Sequence, residues 1–245
     1  MRPDLVARIA LIGARWGASP AAGVLVGAVR HPDRLMIIDE LGTLSNREVD
    51  ERSGAVAHSL REAGVMEGDR IGVMCRHHRG FVEAVMGVAK VGADVLLLNT
   101  SFAARQLTEV CQREDAVALI YDEEFTELVR EAGADRLRFV AWHEGRETED
   151  PKLSDLVGEG DVGAVSPPAR TGRVTILTSG TTGTPKGASR HHAGDARPAG
   201  GAAGSDSPAR GSGGADRGAP LPRLGILQLR PGDGTRLHLR AAPAL

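Results

Sequence analysis

Residues 1–188 predict an α/β fold, a mostly parallel sheet with helices on its faces. Short apolar segments alternate along this part of the chain with longer amphipathic ones. The apolar segments are rich in Val, Ile and Leu, and they read as continuous runs instead of alternating with polar residues. Strands buried on both faces have this composition, and a parallel sheet covered by helices buries its strands in that way.

Turn and cap residues set the limits of the predicted elements. Ser45 and Glu48 form a capping-box sequence for a helix that runs to about Ala63, and Gly64 suits its C-terminal end. Gly92 ends a second helix, and Ser101 is a candidate cap for a third. The predicted strands are 35–38, 70–75, 95–98, 117–120, 137–140 and 174–177, and the predicted helices are 45–63, 81–91, 101–111, 125–132.

Composition narrows the functional class. The chain has 245 residues, of which 41% are hydrophobic and 25% charged, and a net charge of −2 gives no reason to expect nucleic acid as a partner. No apolar run is as long as a transmembrane segment, and the N-terminus lacks the apolar core of a secretory signal. Cys75 and Cys111 lie far apart and predict buried thiols in a reducing compartment, so we expect a cytoplasmic protein.

Residues 1–29 are predicted to be a helical lead-in. Leu5, Ile9 and Ile12 share one face of a short helix. Docking of this face on the protein's own core is the favoured interpretation, and peripheral contact with a membrane surface is the alternative. The histidines His77, His78, His191, His192 and His238 have no partners at ligand spacing, so no metal site is predicted, and His77 and His78 are expected on a solvated turn.

The segment from Thr178 to Gly187 carries the chemistry. It reads Thr-Ser-Gly-Thr-Thr-Gly-Thr-Pro-Lys-Gly and follows a buried strand at 174–177. Glycines let backbone N–H groups approach an anion, hydroxyls add neutral donors and Lys186 supplies a positive charge. A Walker loop needs Gly before its lysine and Ser or Thr after it, whereas Pro185 and Gly187 flank this one. The segment therefore predicts a polyphosphate loop of another kind.

This loop resembles the signature loop of the adenylate-forming (AMP-binding) superfamily, in the style of long-chain fatty-acid–CoA ligases and other acyl-CoA synthetases. The resemblance covers about residues 30–188, so a partial AMP-binding domain with the N-terminal part of that fold is expected there. Besides the loop, it rests on 32–34, 38–39, 44–53, 68–73, 87–93, 97–99, 102–107 and 121–125. These front segments look like scaffold, which makes Asp39, Asn99 and Asp122 caps and turns.

The resemblance implies a two-step ligase that uses ATP, Mg²⁺ and CoA. A fatty acid and ATP give an acyl-adenylate and pyrophosphate, and the CoA thiol then displaces AMP. Lys186 is the implied catalytic residue, neutralising charge on the departing pyrophosphate. The implied phosphate contacts are Thr178, Ser179, Gly180, Thr181, Thr182, Gly183 and Lys186.

The composition changes sharply at residue 189. Ala, Gly, Pro and Arg make up 36 of the 57 residues from 189 to 245, and this tail carries a net charge of +4. Such residues have GC-rich codons, so we expect a disordered, low-complexity tail translated out of frame. Residues 218–229, back-translated and read one nucleotide later, give Ala-Pro-Leu-Phe-His-Ala-Trp-Gly-Phe-Ser-Asn, similar to an aromatic segment downstream of the family's loop. An arginine–glycine-rich segment that binds polyanions is the alternative.

Two functions follow from these observations. The first is a fatty-acid–CoA ligase represented by its N-terminal part, in which case this chain is expected to be an inactive fragment. The second is a non-catalytic fragment or weak phosphate-binding module. Small-molecule substrates are the expected partners under the first hypothesis.

Overall fold

The computed structural model describes residues 3–145, 148–159, 165–178 and 186–189, with the backbone alone at 159, 178 and 186–189. All of these belong to one unit, Met1–Gly194. The predicted tail at 189–245 lies outside the described residues except for Ser189. The helices are α1 (Pro3–Trp16), α2 (Pro20–Arg30), α3 (Asn46–Glu62), α4 (Arg79–Val91), α5 (Ala104–Arg113), α6 (Thr126–Ala132) and α7 (Leu153–Glu159). The strands are β1 (Leu35–Asp39), β2 (Gly42–Ser45), β3 (Arg70–Met74), β4 (Asp94–Leu97), β5 (Ala116–Asp122), β6 (Leu137–Trp142), β7 (Val174–Thr178) and β8 (Lys186–Ser189).

The main sheet has six strands in the order β6-β5-β3-β4-β7-β8. The first five are parallel, and β8 returns antiparallel to β7. The predicted α/β class with a mostly parallel sheet is confirmed. The predicted strand at 35–38 lies outside this sheet, because β1 pairs with β2 in a separate antiparallel hairpin.

Helices cover both faces of the sheet. Alternation along β5 sends Ala118 and Ile120 into one apolar cluster and Leu119 and Tyr121 into the other. The first cluster is closed by α3, α4 and α7, and the second by α5 and α6. The central strands β3, β4 and β5 are therefore buried on two sides, which explains their continuous apolar runs, whereas Ile176 of β7 is 40% exposed.

The N-terminal helices pack at the edge of the first layer. Trp16, Ala21 and Ala22 form a small cluster with Ala89 of α4, and Ile12 packs against that cluster. The predicted helix with Leu5, Ile9 and Ile12 on one face is present as α1. Among the described residues, no helix combines the length and the apolar character needed to span a membrane.

Two helix ends test the cap predictions. The Ser45–Glu48 capping box is present: Glu48 Oε2 accepts the Ser45 N–H at 2.7 Å, and Ser45 Oγ accepts the Glu48 N–H at 3.3 Å. Ser101 does not cap α5, which begins at Ala104. The Asn99 side chain accepts the Ser101 N–H at 2.9 Å, so Ser101 lies in an Asn-stabilised turn and α5 begins after that turn.

Candidate functional site

The candidate phosphate site lies where β7 is followed by β8. Thr178, the last residue of β7, is paired with Lys186, the first residue of β8, across an antiparallel ladder. The two ends of the predicted loop are therefore neighbours on adjacent strands. Of the predicted contacts, Ser179, Gly180, Thr181, Thr182 and Gly183 lie outside the described residues.

The position of β7 places this hairpin at the ligand-binding edge of the sheet. Val95 pairs with Val174 and Leu97 with Ile176, so β7 runs parallel to β4 and both strands end at the same edge. In open α/β sheets, ligands bind beyond the carboxyl ends of the strands. Thr178 occupies such an end, which the sequence predicted.

A second group of polar residues lies at the same edge, between β3 and β5. The chain leaves β3 for α4 on one face, and it leaves β5 for α6 on the other, so the two neighbouring strands form a topological switch point. Asp122, at the end of β5, accepts the Arg76 N–H at 2.6 Å and lies 2.9 Å from His78 Nε2. These contacts hold together the segments that follow the two strands.

His78 lies in a different environment from the one predicted from the sequence. We expected it on a solvated turn, but its side chain is 9% exposed and stacks on Trp142 with 4.8 Å between ring centroids. Its Nδ1 accepts the Phe81 N–H at 3.3 Å, which makes it the N-cap of α4. Because Nδ1 accepts a hydrogen bond, the ring proton is on Nε2, and the Nε2–H group donates a hydrogen bond to Asp122 Oδ1. Trp142 and Asp122 come from distant strands, so no local pattern indicated this burial.

The ion pairs around the switch point are satisfied within the chain. Arg76 donates to both carboxylate oxygens of Glu124, at 2.7 and 2.8 Å, and lies over the Phe125 ring. Burial raises the pKa of the Cys75 thiol well above its ordinary value, and the charge of Asp122 raises it further. Cys75 is therefore a neutral thiol and not a nucleophile. The contacts at this switch point join the segments that follow β3 and β5, so their role is structural.

Neither of the two best-formed cavities in the described part of the chain is at the hairpin. The larger, of about 370 Å³, is lined by Tyr121, Arg138, Asp150 and neighbours from α6. The smaller, of about 200 Å³, lies beside Asp122 and Trp142. Both flank β5 and β6, the strands farthest from β8.

The donor set of the loop fits a polyphosphate and not a metal ion. From Thr178 to Lys186 the sequence supplies hydroxyls, backbone N–H groups and one ammonium, without any carboxylate. Mg²⁺ prefers oxygen anions as ligands. No group of three His, Cys, Asp or Glu residues capable of holding a metal occurs within 3–145, 148–159, 165–178 and 186–189.

Comparison with known proteins agrees with this geometry. The family model described as "AMP-binding enzyme" matches residues 26–205. A medium/long-chain-fatty-acid–CoA/3-oxocholest-4-en-26-oate–CoA ligase of Mycolicibacterium smegmatis is 27% identical over 180 residues, which cover 66% of this chain and 31% of that protein. A fatty acid–[acyl-carrier-protein] ligase of Streptomyces coeruleorubidus is 27% identical over 168 residues, covering 65% and 30%.

The fold is similar to that of solved acyl-CoA synthetases. The Brucella canis acyl-CoA synthetase matches with a TM-score of 0.60 and 20% identity, over 76% of this chain and 37% of that one. An anthranilate CoA ligase in complex with anthranoyl-AMP matches with a TM-score of 0.58 and 19% identity, over 74% and 34%. The chain thus spans about a third of the length of the relatives that it matches. Since the family model covers most of the sequence, the chain belongs to the AMP-binding enzymes, the adenylate-forming superfamily.

Proposed function

We propose that the whole protein activates a fatty acid with ATP and transfers the acyl group to CoA. The observation that carries this proposal is the β7–β8 hairpin, which brings Thr178 and Lys186 together at the carboxyl edge of the sheet. The family match and the ligases among the relatives support the same chemistry. A fatty acid is proposed as the acyl substrate because those relatives are fatty-acid ligases.

In this proposal the loop binds the phosphates and acts on the leaving group. Attack of a carboxylate on the α-phosphorus moves negative charge onto pyrophosphate, so cations and N–H donors placed there lower the barrier. Thr178, Ser179, Thr181 and Thr182 donate through hydroxyls, and Gly180 and Gly183 through backbone N–H groups. Lys186 neutralises the departing pyrophosphate. Bound Mg²⁺ supplies charge neutralisation on the phosphates.

We further propose that residues 30–188 are a partial AMP-binding domain preceded by a helical lead-in at 1–29, and that the protein acts in the cytoplasm. These 245 residues by themselves are proposed to bind polyphosphate without completing acyl-CoA formation. The length of the relatives supports this proposal, because the matched ligases are about three times as long as the region that matches this chain.

Purified protein incubated with MgATP, CoA and palmitate tests both statements. We expect no acyl-CoA from the 245-residue chain and acyl-CoA from a gene product in which the frame beyond residue 189 has been corrected. The Lys186→Ala variant of the corrected protein is the control and should lose most of the activity. Acyl-CoA formed by the 245-residue chain above its own Lys186→Ala control contradicts the inactivity. A corrected protein that is inactive with every fatty-acid chain length contradicts the ligase assignment.

A further inference from the structure

Two carboxylates, those of Asp94 and Glu67, bind the segment that leads into β7. They lie at the edge of the sheet where the parallel strands begin. Asp94, the first residue of β4, accepts hydrogen bonds from Arg170 Nη2 at 2.8 Å on each of its oxygens. Asp94 Oδ1 also accepts the backbone N–H of Arg173 at 2.8 Å. The Asp94 side chain is 12% exposed, so these bonds are shielded from water on most sides.

Glu67 holds the same segment one step earlier. Its Oε1 accepts the Ala169 N–H at 3.1 Å, and its Oε2 accepts the Arg170 N–H at 3.2 Å. Glu67 belongs to the turn before β3, and Asp94 to the start of β4. Four donors between Ala169 and Arg173 are therefore bound by Glu67, in the turn before β3, and by Asp94, at the start of β4.

The backbone contacts at this point leave no slack. A Cβ added to Gly172 would lie 2.0 Å from the Ala93 carbonyl oxygen, and one added to Gly92 would lie 2.6 Å from the Pro168 Cβ. The Val95 N–H donates to the Arg173 carbonyl at 2.8 Å, which begins the β4–β7 ladder. The backbone of segment 168–173 is therefore in close contact with the turn that precedes β4, and β7 starts directly after this segment.

The register of β7 decides where the phosphate loop begins. A slip of one residue along β4 moves a strand by about 3.3 Å and turns every side chain to the opposite face. We propose that Asp94 and Glu67 are positioning residues: with Arg170 as their partner, they fix the register of β7 and so the place of Thr178 at the carboxyl edge. This inference rests on the proposed function, because it gives the register a role in binding ATP.

The experiment compares Asp94→Ala and Arg170→Met with the conservative Arg170→Lys, which keeps the charge. Asp33→Ala is the matched control, because Asp33 forms an exposed ion pair with Arg47 and takes no part in the contacts of segment 168–173 described above. Amide hydrogen exchange is followed in peptides covering 174–178 and, as an internal reference, 116–122. The affinity for MgATP is measured on the same samples by calorimetry.

We expect exchange in 174–178 to rise about tenfold in Asp94→Ala and Arg170→Met, the factor that losing a charge-assisted hydrogen bond represents, with 116–122 unchanged. ATP affinity should fall in parallel, and Arg170→Lys should restore both. Glu67→Gln is the milder variant if Asp94→Ala does not fold, and it should raise the exchange of 174–178 by a smaller factor.

Exchange of 174–178 equal to wild type in Arg170→Met and Glu67→Gln would overturn the role in register. Raised exchange with unchanged ATP affinity would overturn the link to the loop. A wild-type chain that binds no ATP contradicts the proposed function instead, and the exchange of 174–178 still decides the role of Asp94 and Glu67.

Discussion

Asp39 illustrates how a single residue joins two parts of this fold. Its carboxylate accepts hydrogen bonds from Arg79 Nη2 at 2.5 Å, from Arg79 Nε at 2.9 Å and from the Arg79 backbone N–H at 3.1 Å. Asp39 ends β1 and Arg79 begins α4, so this pair ties the β1–β2 hairpin to the helical layer. The hydrogen bond from the Arg79 side chain, the largest cause, lowers the pKa of Asp39 from 3.8 to about 2.

The lowered pKa predicts how stability depends on pH. A carboxyl group with a depressed pKa in the folded state contributes stability above its unfolded pKa and loses that contribution as the pH falls through its folded value. Asp39→Asn should therefore destabilise the protein at pH 7 by about 1.5–3 kcal/mol, the usual worth of a hydrogen bond to a charged group. Urea denaturation at pH 7, 5, 4, 3 and 2 measures the difference between the two proteins.

That difference should be constant from pH 7 to 5 and shrink between about pH 4 and pH 2, the interval set by the two pKa values of Asp39. Asp33→Asn, at an exposed ion pair, is the control and should change stability by less than about 0.5 kcal/mol. A difference that persists unchanged at pH 2 would show that Asp39 does not act through its charge.

At the same scale, the sequence revealed those side-chain roles that depend on near neighbours. Ser45 and Glu48 are three residues apart, so their reciprocal hydrogen bonds follow from the local chain. Gly64 and Gly92 have φ of +94° and +85°, as expected for glycines that end helices. His78 and Asp94 were missed in their roles because their partners, Asp122 and Arg170, lie 44 and 76 residues away.

Among the elements, the contact between α3 and α4 depends on a glycine. A Cβ added to Gly87 of α4 would lie 2.5 Å from Val56 Cγ1 and 2.9 Å from Val56 Cβ in α3. Both helices cover the same face of the sheet. The close approach leaves no room for a methyl group unless the helices move apart.

Gly87→Ala is therefore expected to destabilise the protein by about 1–3 kcal/mol, the usual cost of overpacking a core. Combining it with Val56→Ala should remove part of that cost, because Val56 Cγ1, the nearer clashing atom, is gone while Cβ remains. Thermal and urea unfolding of the single and double variants measure the coupling. If Gly87→Ala costs the same in the presence and absence of Val56, the clash is not the cause.

Gly23 provides the matched control in another helix. It is exposed in α2, and a Cβ added there meets nothing within 4 Å. Gly23→Ala should raise stability by about 0.5–1 kcal/mol, since alanine has the higher helix propensity and a smaller entropy loss on folding. A destabilising Gly23→Ala would mean that helix α2 has a close neighbour at this position.

The limits of prediction at the element scale follow the same physical reasoning. The central parallel strands β3, β4 and β5 were predicted because they are buried on both faces and are mostly apolar. β8 reads Lys-Gly-Ala-Ser and has no β-branched residue, so its strand conformation comes from pairing with β7. The short helix α7, with Gly158 near its end, had no clear period of its own and is held by Leu153 in the first apolar cluster.

For the molecule as a whole, the change in composition at residue 189 falls inside the family match, which runs to residue 205. A domain boundary would be expected to fall at the end of such a match. A shifted reading frame, in contrast, changes composition at any point within a domain. We therefore retain the frameshift as a proposal.

Sequencing the gene from the codon of residue 185 onward tests it. We expect an insertion or deletion near residue 190, and beyond it a second frame that encodes the aromatic segment proposed above. A verified, uninterrupted frame whose codons at residues 218–229 do not give that segment would contradict the frameshift and favour a natural arginine–glycine-rich tail.

The central claim is that the β7–β8 hairpin binds the phosphates of ATP, and calorimetric titration of the purified chain with MgATP measures this most directly. The wild-type chain should bind one nucleotide, and Lys186→Ala should weaken binding by about tenfold, which corresponds to one charge-assisted contact of about 1.4 kcal/mol. Lys152→Ala, beside β6 and remote from the hairpin, should bind as the wild type does. Equal affinity of the wild type and Lys186→Ala, or weaker binding by Lys152→Ala of the same size, would contradict the account.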